Sequence, residues 1–294
     1  MAGHSSLAER LGAVVVNHDG GVALLECVAS LQRAGLSRIV VVDNASSDGS
    51  LVRLAAAQPS VVIVPTGANL GYGGAANRGA ERVGTEFLLI CNADLVLDTA
   101  AAAVLLDALA GEPDLAACGP RILDAAGQIY PSARAFPSLG DAAGHALVGF
   151  LRPDNPFTRR YRLGAKGEPD DAGVTEVDWV SGSCVAVRAI AFASVGGFDE
   201  GYFMYVEDLD LCWRLRRAGW RVGYADAASV LHHGGASTRH HPYRMLVAHH
   251  RSTWRFARRS LHGRKRLALP FVAAGLAVRL VVAIGTQRLR SDPF

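Results

Sequence analysis

The sequence predicts an α/β fold built on a doubly wound, mostly parallel sheet. Strand-like and helix-like runs alternate four times within about the first hundred residues, the pattern of successive βα units. Polar residues cluster where the strand-like runs stop. In a doubly wound sheet, ligands bind beyond the carboxyl ends of the strands.

In chain order, Val14–Asn17 is a short apolar strand that ends in the polar stretch NHDG. Val22, Leu24, Leu25, Val28 and Leu31 then recur at helical spacing as far as Gly35, which suits the left-handed position past a helix end. Ile39–Val42 is a second buried strand ending in Asp43-Asn44, and Ser46, Ser47 and Asp48 are cap candidates for a helix carrying Leu51, Val52 and Leu54. Val61–Val64 is the third strand, followed by the loop GANLGYGGAANRG and a helix over about residues 74–83. Phe87–Cys91 is the fourth, ending in Asn92-Ala93-Asp94. Asn17, Asp43, Asn69 and Asp94 thus follow the four strands in turn. Turn chemistry accounts for any one of them. Four converging on one rim predict a nucleotide site.

Two kinds of nucleotide compete. Gly71-Tyr72-Gly73-Gly74-Ala75-Ala76 fits the GxGxxA fingerprint of a dinucleotide dehydrogenase, with Asp94 a strand and a helix further on. Against this, the glycines follow the third strand, while the place after the first strand reads NHDG. The Asn-x-Asp strand end also suits a divalent cation better than a ribose.

The stretch GFDEGYFMYVEDLDLCWR, Gly197–Arg214, opens a helix with Glu207, Asp208 and Asp210. Val206, Leu209, Trp213 and Leu215 are expected to face a core, and Arg214, Arg216 and Arg217 to face water. Carboxylates at a helix start complement the macrodipole, which explains one acid better than three. A carboxylate among Phe203, Tyr205 and Trp213 has a modified pKa and is a candidate base toward a substrate hydroxyl.

VVVNHDG, VVDNASSDGS, NLGYGGAAN, LLICNAD, WVSGSC, GGFDEGYFMYVEDLDLCWR and HHGGAS occur in order and at sensible spacing. Together they resemble the inverting GT-A glycosyltransferases of family 2, in particular the bacterial rhamnosyltransferase-like branch, over about Ala13 to Thr238. The resemblance implies a GT-A fold with a Rossmann-like nucleotide-binding half and an acceptor half. It implies that Asp43 contacts the base or ribose near Asn17, and that Asn69, Gly71 and Asn77 line the donor pocket. Asn92-Ala93-Asp94 takes the place of the family's Asp-x-Asp, so Asn92 replaces the first acid and Asp94 carries the metal. Asp208, second acid of the Glu207-Asp208 pair, matches the general base. His232 matches a histidine that helps hold the metal or diphosphate, with His233 as the alternative. Trp179, Ser181 and Gly182 are expected to border the donor sugar, core packing being the competing reading of Trp179.

The chemistry needs these residue types. A nucleoside diphosphate leaving group calls for a divalent cation, Mn2+ or Mg2+, as the sugar–oxygen bond breaks. A base on the opposite face takes the acceptor proton, and one displacement inverts the anomeric carbon. The branch implies transfer of L-rhamnose from dTDP-L-rhamnose to a hydroxyl of a polyprenyl-diphosphate-linked saccharide in cell-wall or surface polysaccharide assembly. A UDP- or GDP-linked donor is the nearer alternative. A dehydrogenase and a non-catalytic nucleotide-sugar-binding module are the remoter ones, and the intact Asp94, Glu207 and Asp208 argue against the last.

Leu115–Leu123 and Gly127–Ala133 are further strand candidates joined by the turn DAAG, and Val177–Val187 and Gly223–Leu231 follow, the last carrying His232 to the site. Residues 136–171 have the length of a functional loop over the acceptor. The segment 239–294 is expected to be a second domain beside a catalytic domain of residues 1–238. Arg239, Arg244, Arg251, Arg255, Arg258, Arg259, Arg264, Lys265 and Arg266 accumulate there with no acid until Asp292. Leu267–Ile284 is mostly apolar, but Pro270 and Arg279 interrupt it, so an amphipathic helical segment lying on an anionic membrane surface is expected rather than a spanning helix. A homodimer contact is the bland alternative, and no nucleic-acid module accompanies the basic run.

The five cysteines are odd in number and form no CxxC pair, which predicts reduced, buried thiols and neither zinc nor a disulfide framework. The N-terminus lacks the pattern of a signal peptide. A cytoplasmic protein, peripheral at the inner face of the plasma membrane, is the expectation.

Overall fold

The computed structural model describes residues 6–137, 173–234 and 242–291. The loop expected over 136–171 lies almost wholly outside the described residues, as do the boundary at 238/239 and the last three residues of HHGGAS. In chain order the elements are α1 (Leu7–Arg10), β1 (Leu11–Asn17), α2 (Ala23–Arg33), β2 (Ile39–Asp43), α3 (Ser50–Ala57), β3 (Val62–Pro65), α4 (Gly71–Val83), β4 (Phe87–Asn92), β5 (Leu95–Leu97) and α5 (Ala101–Gly111). Then come β6 (Leu115–Asp124), β7 (Ile129–Tyr130), β8 (Ala133–Arg134), β9 (Val174–Glu176), β10 (Trp179–Val180), β11 (Cys184–Arg188), α6 (Ala189–Ser194) and α7 (Glu207–Arg217). The chain continues through β12 (Arg221–His232), α8 (Pro242–Ser260), a 3₁₀ turn (Gly263–Ala268) and α9 (Leu269–Ser291).

The main sheet runs β3-β2-β1-β4-β11-β6-β12-β5. Its first four strands are parallel neighbours, with Asn17 opposite Asp43 and Val16 opposite Asn92, so the polar strand ends line up on one rim. β11 is antiparallel to both β4 and β6, while β12 is parallel to β6 and antiparallel to β5. The nucleotide-binding half is therefore parallel and the other half mixed. Side chains of β1 alternate faces: Ala13 and Val15 pack under α2 and α5, while Val14 and Val16 pack with Tyr72, Phe198 and Tyr202.

Several elements differ from the sequence expectation for local reasons. The run Val177–Val187 is not one strand but β10 and β11, separated where Ser181-Gly182-Ser183 turns toward the cavity described below. Pro131, which has no N–H to donate, separates β7 from β8. The turn between β6 and β7 is a hairpin as expected, closed by the Gly127 N–H to the Asp124 carbonyl at 2.8 Å. The expected cap of α3 falls instead on Gly49, with the Asp48 carboxylate taking the Ser50 N–H at 2.9 Å.

Helix α4 starts at Gly71, so the glycines expected in a loop lie inside it. A Cβ on Gly79 would sit 2.3 Å from Val14 Cγ1 and 2.8 Å from Val42 Cγ2, so glycine lets this helix press onto the sheet. On its other side, a Cβ on Gly73 would meet Phe198 Cβ at 2.8 Å, and one on Gly71 would meet the Phe203 carbonyl oxygen at 2.2 Å. The fingerprint glycines are filled by the chain's own atoms. That removes the dinucleotide reading.

Helix α7 buries Leu209, Leu211, Cys212 and Leu215. Arg214 was expected to face water and does not: its side chain is 10% exposed and its Nε donates to Asp210 Oδ2 at 2.6 Å. Asp210 is fully buried, so it requires a charged partner one turn away, and Arg214 supplies it. Tyr202 Oη donates to Asp210 Oδ1 at 3.2 Å, and Arg259 reaches the same carboxylate at 3.4 Å.

α8 packs on this body through Phe256 against Trp213, the Ser252 hydroxyl on the Met204 carbonyl, and Arg255 and Arg259 on Asp199. α9 packs on α8. Pro270 falls in the first turn of α9, where its missing N–H costs nothing, so it does not interrupt the helix. Gly263–Arg288 is long and apolar enough to cross a membrane by length and composition alone, and its apolar window is wholly unburied.

The buried acid gives a direct stability test. Asp210→Asn leaves Arg214 and Arg259 around a neutral group and is expected to cost about 3 kcal/mol. Urea denaturation checks this: the midpoint should fall with the slope unchanged.

Candidate active site

A cavity of about 640 Å3 opens at the carboxyl rim of the sheet. Its lining includes His18, Asn44, Asn69, Asn92, Asp94, Trp179, Ser181, Gly182, Glu207, Asp208 and His232. The expected residues from the fourth strand, from WVSGSC, from the acidic helix and from HHGGAS thus share one space.

The antiparallel pairing of β12 with β5 puts His232 opposite Leu95 and so beside Asp94. The His233 N–H donates to the Asp94 carbonyl at 3.0 Å, and His232 Nε2 lies 3.1 Å from Asp94 Oδ1 and 3.1 Å from the Asn92 amide nitrogen. Burial pulls the Asp94 carboxyl upward, but the hydrogen bond and charge of His232, with help from His233, hold it below the usual carboxylate range. His233 itself lies 3.8 Å from Glu26 and is more exposed, so His232 is the imidazole of this pair. Among the described residues no cluster of three or more His, Cys, Asp or Glu side chains is placed to hold a metal. One carboxylate and one imidazole nevertheless fit a hard cation that takes its remaining ligands from a diphosphate and water.

The acidic pair enters through backbone strain. Tyr205 and Val206, immediately before α7, have φ of 67° and 70°. This left-handed conformation is unfavourable for a β-branched residue and turns the first helical turn into the cavity. Asp208 then accepts the Gly182 N–H at 2.9 Å and the Leu209 N–H at 2.8 Å. Glu207 is buried, and its Oε2 has no hydrogen-bond partner.

The two acids are therefore unequal. Burial, and then the charge of Asp208, push Glu207 up to about 8. Burial also raises Asp208, but its two N–H donors and the nearby Arg134 charge oppose it. Glu207 lacks the two N–H donors that oppose the rise at Asp208, so burial favours its neutral form.

Four expected site residues do not line the cavity. Asn17 is fully buried and donates to Asp43 Oδ1 at 3.2 Å and to the Ser46 and Ser50 hydroxyls. Asp43 in turn accepts the Ser46 N–H at 3.2 Å. Both brace the rim from behind, while Asn44 and His18 beside them reach the cavity. Gly71 meets Phe203, as described. Asn77 accepts the Phe198 N–H and donates to the Phe198 carbonyl, both at 2.9 Å, so it holds the segment leading to Glu207.

Tyr72, Arg134 and His249 also line the cavity, and the sequence reading assigned them no role there. The Tyr72 hydroxyl donates to the Gly182 carbonyl in a short hydrogen bond, which fixes the turn that binds Asp208. Arg134 lies over the rings of Trp179 at 5.1 Å and Tyr130 at 5.3 Å. Trp179 is at once a cavity wall and a core residue, 6% exposed, with its indole N–H on the Ala135 carbonyl. His249 of α8 also lines the cavity, edge-on to Tyr205, so the segment after residue 239 contributes to the site. Burial, then the charges of Arg279 and His250, lower His249 to about 4.

A parallel nucleotide-binding half, a mixed second half, and a rim carrying an Asp–His pair and a buried Glu–Asp pair define a GT-A glycosyltransferase. The sequence profile of Glycosyl transferase family 2 matches residues 13–173, and the chain belongs to that family. It is 39% identical over 299 residues to an N-acetylglucosaminyl-diphospho-decaprenol L-rhamnosyltransferase of Mycobacterium tuberculosis, covering 97% of this chain and 96% of that one. It is 36% identical over 128 residues to Rhamnosyltransferase WbbL of Escherichia coli, 44% of each chain. Among solved structures, a mannosyltransferase of Pyrobaculum calidifontis in complex with GDP-Man and Mn2+ superposes with a TM-score of 0.56 at 16% identity, over 96% of this chain and 80% of that one. GalNAc-T7 with UDP, GalNAc and Mn2+ gives 0.58 at 15% identity, over 79% and 45%.

Glu207 sets a pH dependence of stability. Its folded pKa lies above its ordinary value, so between about 4.5 and about 8 the native state binds more protons than the unfolded one. Stability should therefore fall as pH rises through that window. Glu207→Gln, uncharged throughout, should flatten the fall in denaturation midpoints measured from pH 5 to 8.

Proposed function

We propose that this enzyme transfers L-rhamnose from dTDP-L-rhamnose to a hydroxyl of an N-acetylglucosaminyl-diphospho-polyprenol, inverting the anomeric carbon, in cell-wall polysaccharide assembly. The observation that carries this reading is the shared cavity, in which the Glu207–Asp208 pair faces the same space as Asp94 and His232. The rhamnosyl and lipid-linked parts rest on the relative from Mycobacterium tuberculosis, whose length this chain matches almost end to end.

In the proposed reaction the donor's diphosphate lies toward Asp94 and His232, with Asn92 and Asn69 beside it. Asp43 and Asn17 support the loop under the base and ribose. The acceptor hydroxyl faces Asp208, which takes its proton as the oxygen bonds to the anomeric carbon and the bond to the diphosphate breaks. Gly182 and Leu209 keep the Asp208 carboxylate aimed, and Glu207, holding its proton, is a hydrogen-bond donor to a sugar oxygen. A divalent cation, Mn2+ or Mg2+, held by Asp94 and His232 supplies charge neutralisation for the departing diphosphate.

The enzyme works at the inner face of the plasma membrane, where a nucleotide sugar and a lipid-linked acceptor meet. Residues up to 238 carry the groups assigned to the transfer chemistry, with His249 of α8 completing the cavity wall. The segment from 239 onward supplies the membrane contact, through α9 and the basic residues before it. Each basic residue near an anionic leaflet contributes about 1 kcal/mol.

Asp94→Ala is expected to abolish the Mn2+-dependent part of dTDP binding in calorimetry, and His232→Ala to weaken it less. Undiminished affinity in Asp94→Ala would reject the cation assignment. The same titration with UDP and GDP decides the nucleotide.

Asp208→Asn should keep dTDP affinity while turnover falls by about two orders of magnitude or more. Retained turnover would place the base elsewhere. A product with the donor's anomeric configuration would contradict a single displacement.

A further inference from the structure

A second cleft, of about 1450 Å3, lies between α8, the start of α9 and the turn Asp199–Phe203. Arg244, Arg251, Arg255, Arg258, Arg259 and Arg266 line it. Asp199 is the one acidic side chain among its described lining residues, and it is already engaged, with Arg255 at 2.9 Å and Arg259 at 2.5 Å. No acid occurs between residues 242 and 291, and Arg251, Arg258 and Arg266 have no acidic partner among the described residues. The wall thus carries an excess of guanidinium groups, whose planar forks match phosphate oxygens. This concave surface calls for a ligand with several negative charges.

The same cleft has an apolar exit. Leu269 lines it at the start of α9, and beyond it Phe271, Val278 and Val281 are exposed on a helix whose apolar window is unburied. The cleft is also next to the active site. Phe203 lines the cleft, while Met204 to Leu209 line the catalytic cavity, and along α8 the neighbours Ala248 and His249 face the cleft and the cavity respectively. A ligand anchored here by phosphates, with its chain along α9, has its head beside Asp208.

We infer that the arginine cleft is the seat of the acceptor's diphosphate, with the prenyl chain leaving along the apolar surface of α9. The inference rests on the proposed lipid-linked acceptor and names the residues that hold it. It divides the arginines by task. Arg255 and Arg259 tie α8 to Asp199, whereas Arg251, Arg258 and Arg266 meet the phosphates.

The test is binding of farnesyl diphosphate to the full chain in neutral detergent, by calorimetry and by tryptophan fluorescence, since Trp254 lines the cleft. Farnesol and inorganic pyrophosphate separate the apolar and anionic contributions. Farnesyl diphosphate should bind more tightly than either. The triple variant Arg251→Gln, Arg258→Gln, Arg266→Gln should lose about tenfold or more in that affinity, some 1.4 kcal/mol, while keeping its affinity for dTDP. All three arginines are exposed, and Arg266→Glu alone, on the 3₁₀ turn, repeats the test with one substitution. Equal affinity of the variants and the natural sequence for farnesyl diphosphate overturns the inference. So does pyrophosphate binding as tightly as farnesyl diphosphate, which would mark a free-anion site, or displacement of farnesyl diphosphate by dTDP. Because the readout is binding, failure of the natural enzyme to rhamnosylate a lipid-linked sugar would reject the proposed reaction and leave the cleft assignment standing on its own measurement.

Discussion

Helix α4 is clamped between the sheet and the segment that delivers the catalytic acids, and the rest of the site depends on that clamp. Gly79 lets the helix settle against Val14 and Val42, and Gly73 and Gly71 let Phe198 and the Phe203 carbonyl settle on its other side. Asn77 and the Tyr72 N–H then bond to the backbone of Phe198 and Phe203. Because close-packed atoms transmit displacement, the position of Phe203 sets where Tyr205 and Val206 can turn. Their left-handed backbone in turn aims Glu207 and Asp208 into the cavity. A glycine-rich stretch that resembles a phosphate cradle is here a device for interlocking two layers.

Burial does the chemical sorting among three neighbouring carboxylates. Asp210 is the most deeply enclosed, and it is neutralised by Arg214 and Arg259. Asp208 is enclosed but supplied with two backbone N–H donors. Glu207 has neither compensation at Oε2, and burial pushes it up to about 8. A helix start attracts acids through its dipole, yet the dipole acts on all three alike. What separates Asp210, Asp208 and Glu207 is the set of partners each meets after folding.

The basic segment after residue 239 likewise divides into groups with different physics. Arg255 and Arg259 are bound to Asp199 and act as fasteners. Arg251, Arg258 and Arg266 line a cleft and have no acidic partner among the described residues. His249, from the same helix, is pressed against Tyr205 in the catalytic cavity. The helix that connects to the apolar α9 thereby forms part of the cavity wall, which couples the position of α9 to the geometry of the site.

The sequence by itself determined the order of βα units, the polar rim and the membership of Asp94, Glu207, Asp208 and His232 in one site. The order of units and the rim are legible because strand periodicity is local and because a sheet brings strand ends together. The grouping of Asp94, Glu207, Asp208 and His232 came instead from the resemblance of their motifs to a known family. Its reading of Arg214 as solvated followed local pattern, and its reading of Asn77 and Gly71 as donor contacts followed the resemblance. Contacts formed on folding overrode them: buried Asp210 draws in Arg214 from the next turn, and Phe198 and Phe203 take up Asn77 and Gly71. Only the tertiary structure decided that Arg214 closes on a buried Asp210, that Asn77 serves Phe198, and that Arg134 and His249 reach the cavity. Asn77 and His249 meet partners far along the chain, where no periodic signal links them. Arg214, by contrast, sits one turn from Asp210 and is drawn to it by burial, which turns a weak local preference into an obligatory partnership.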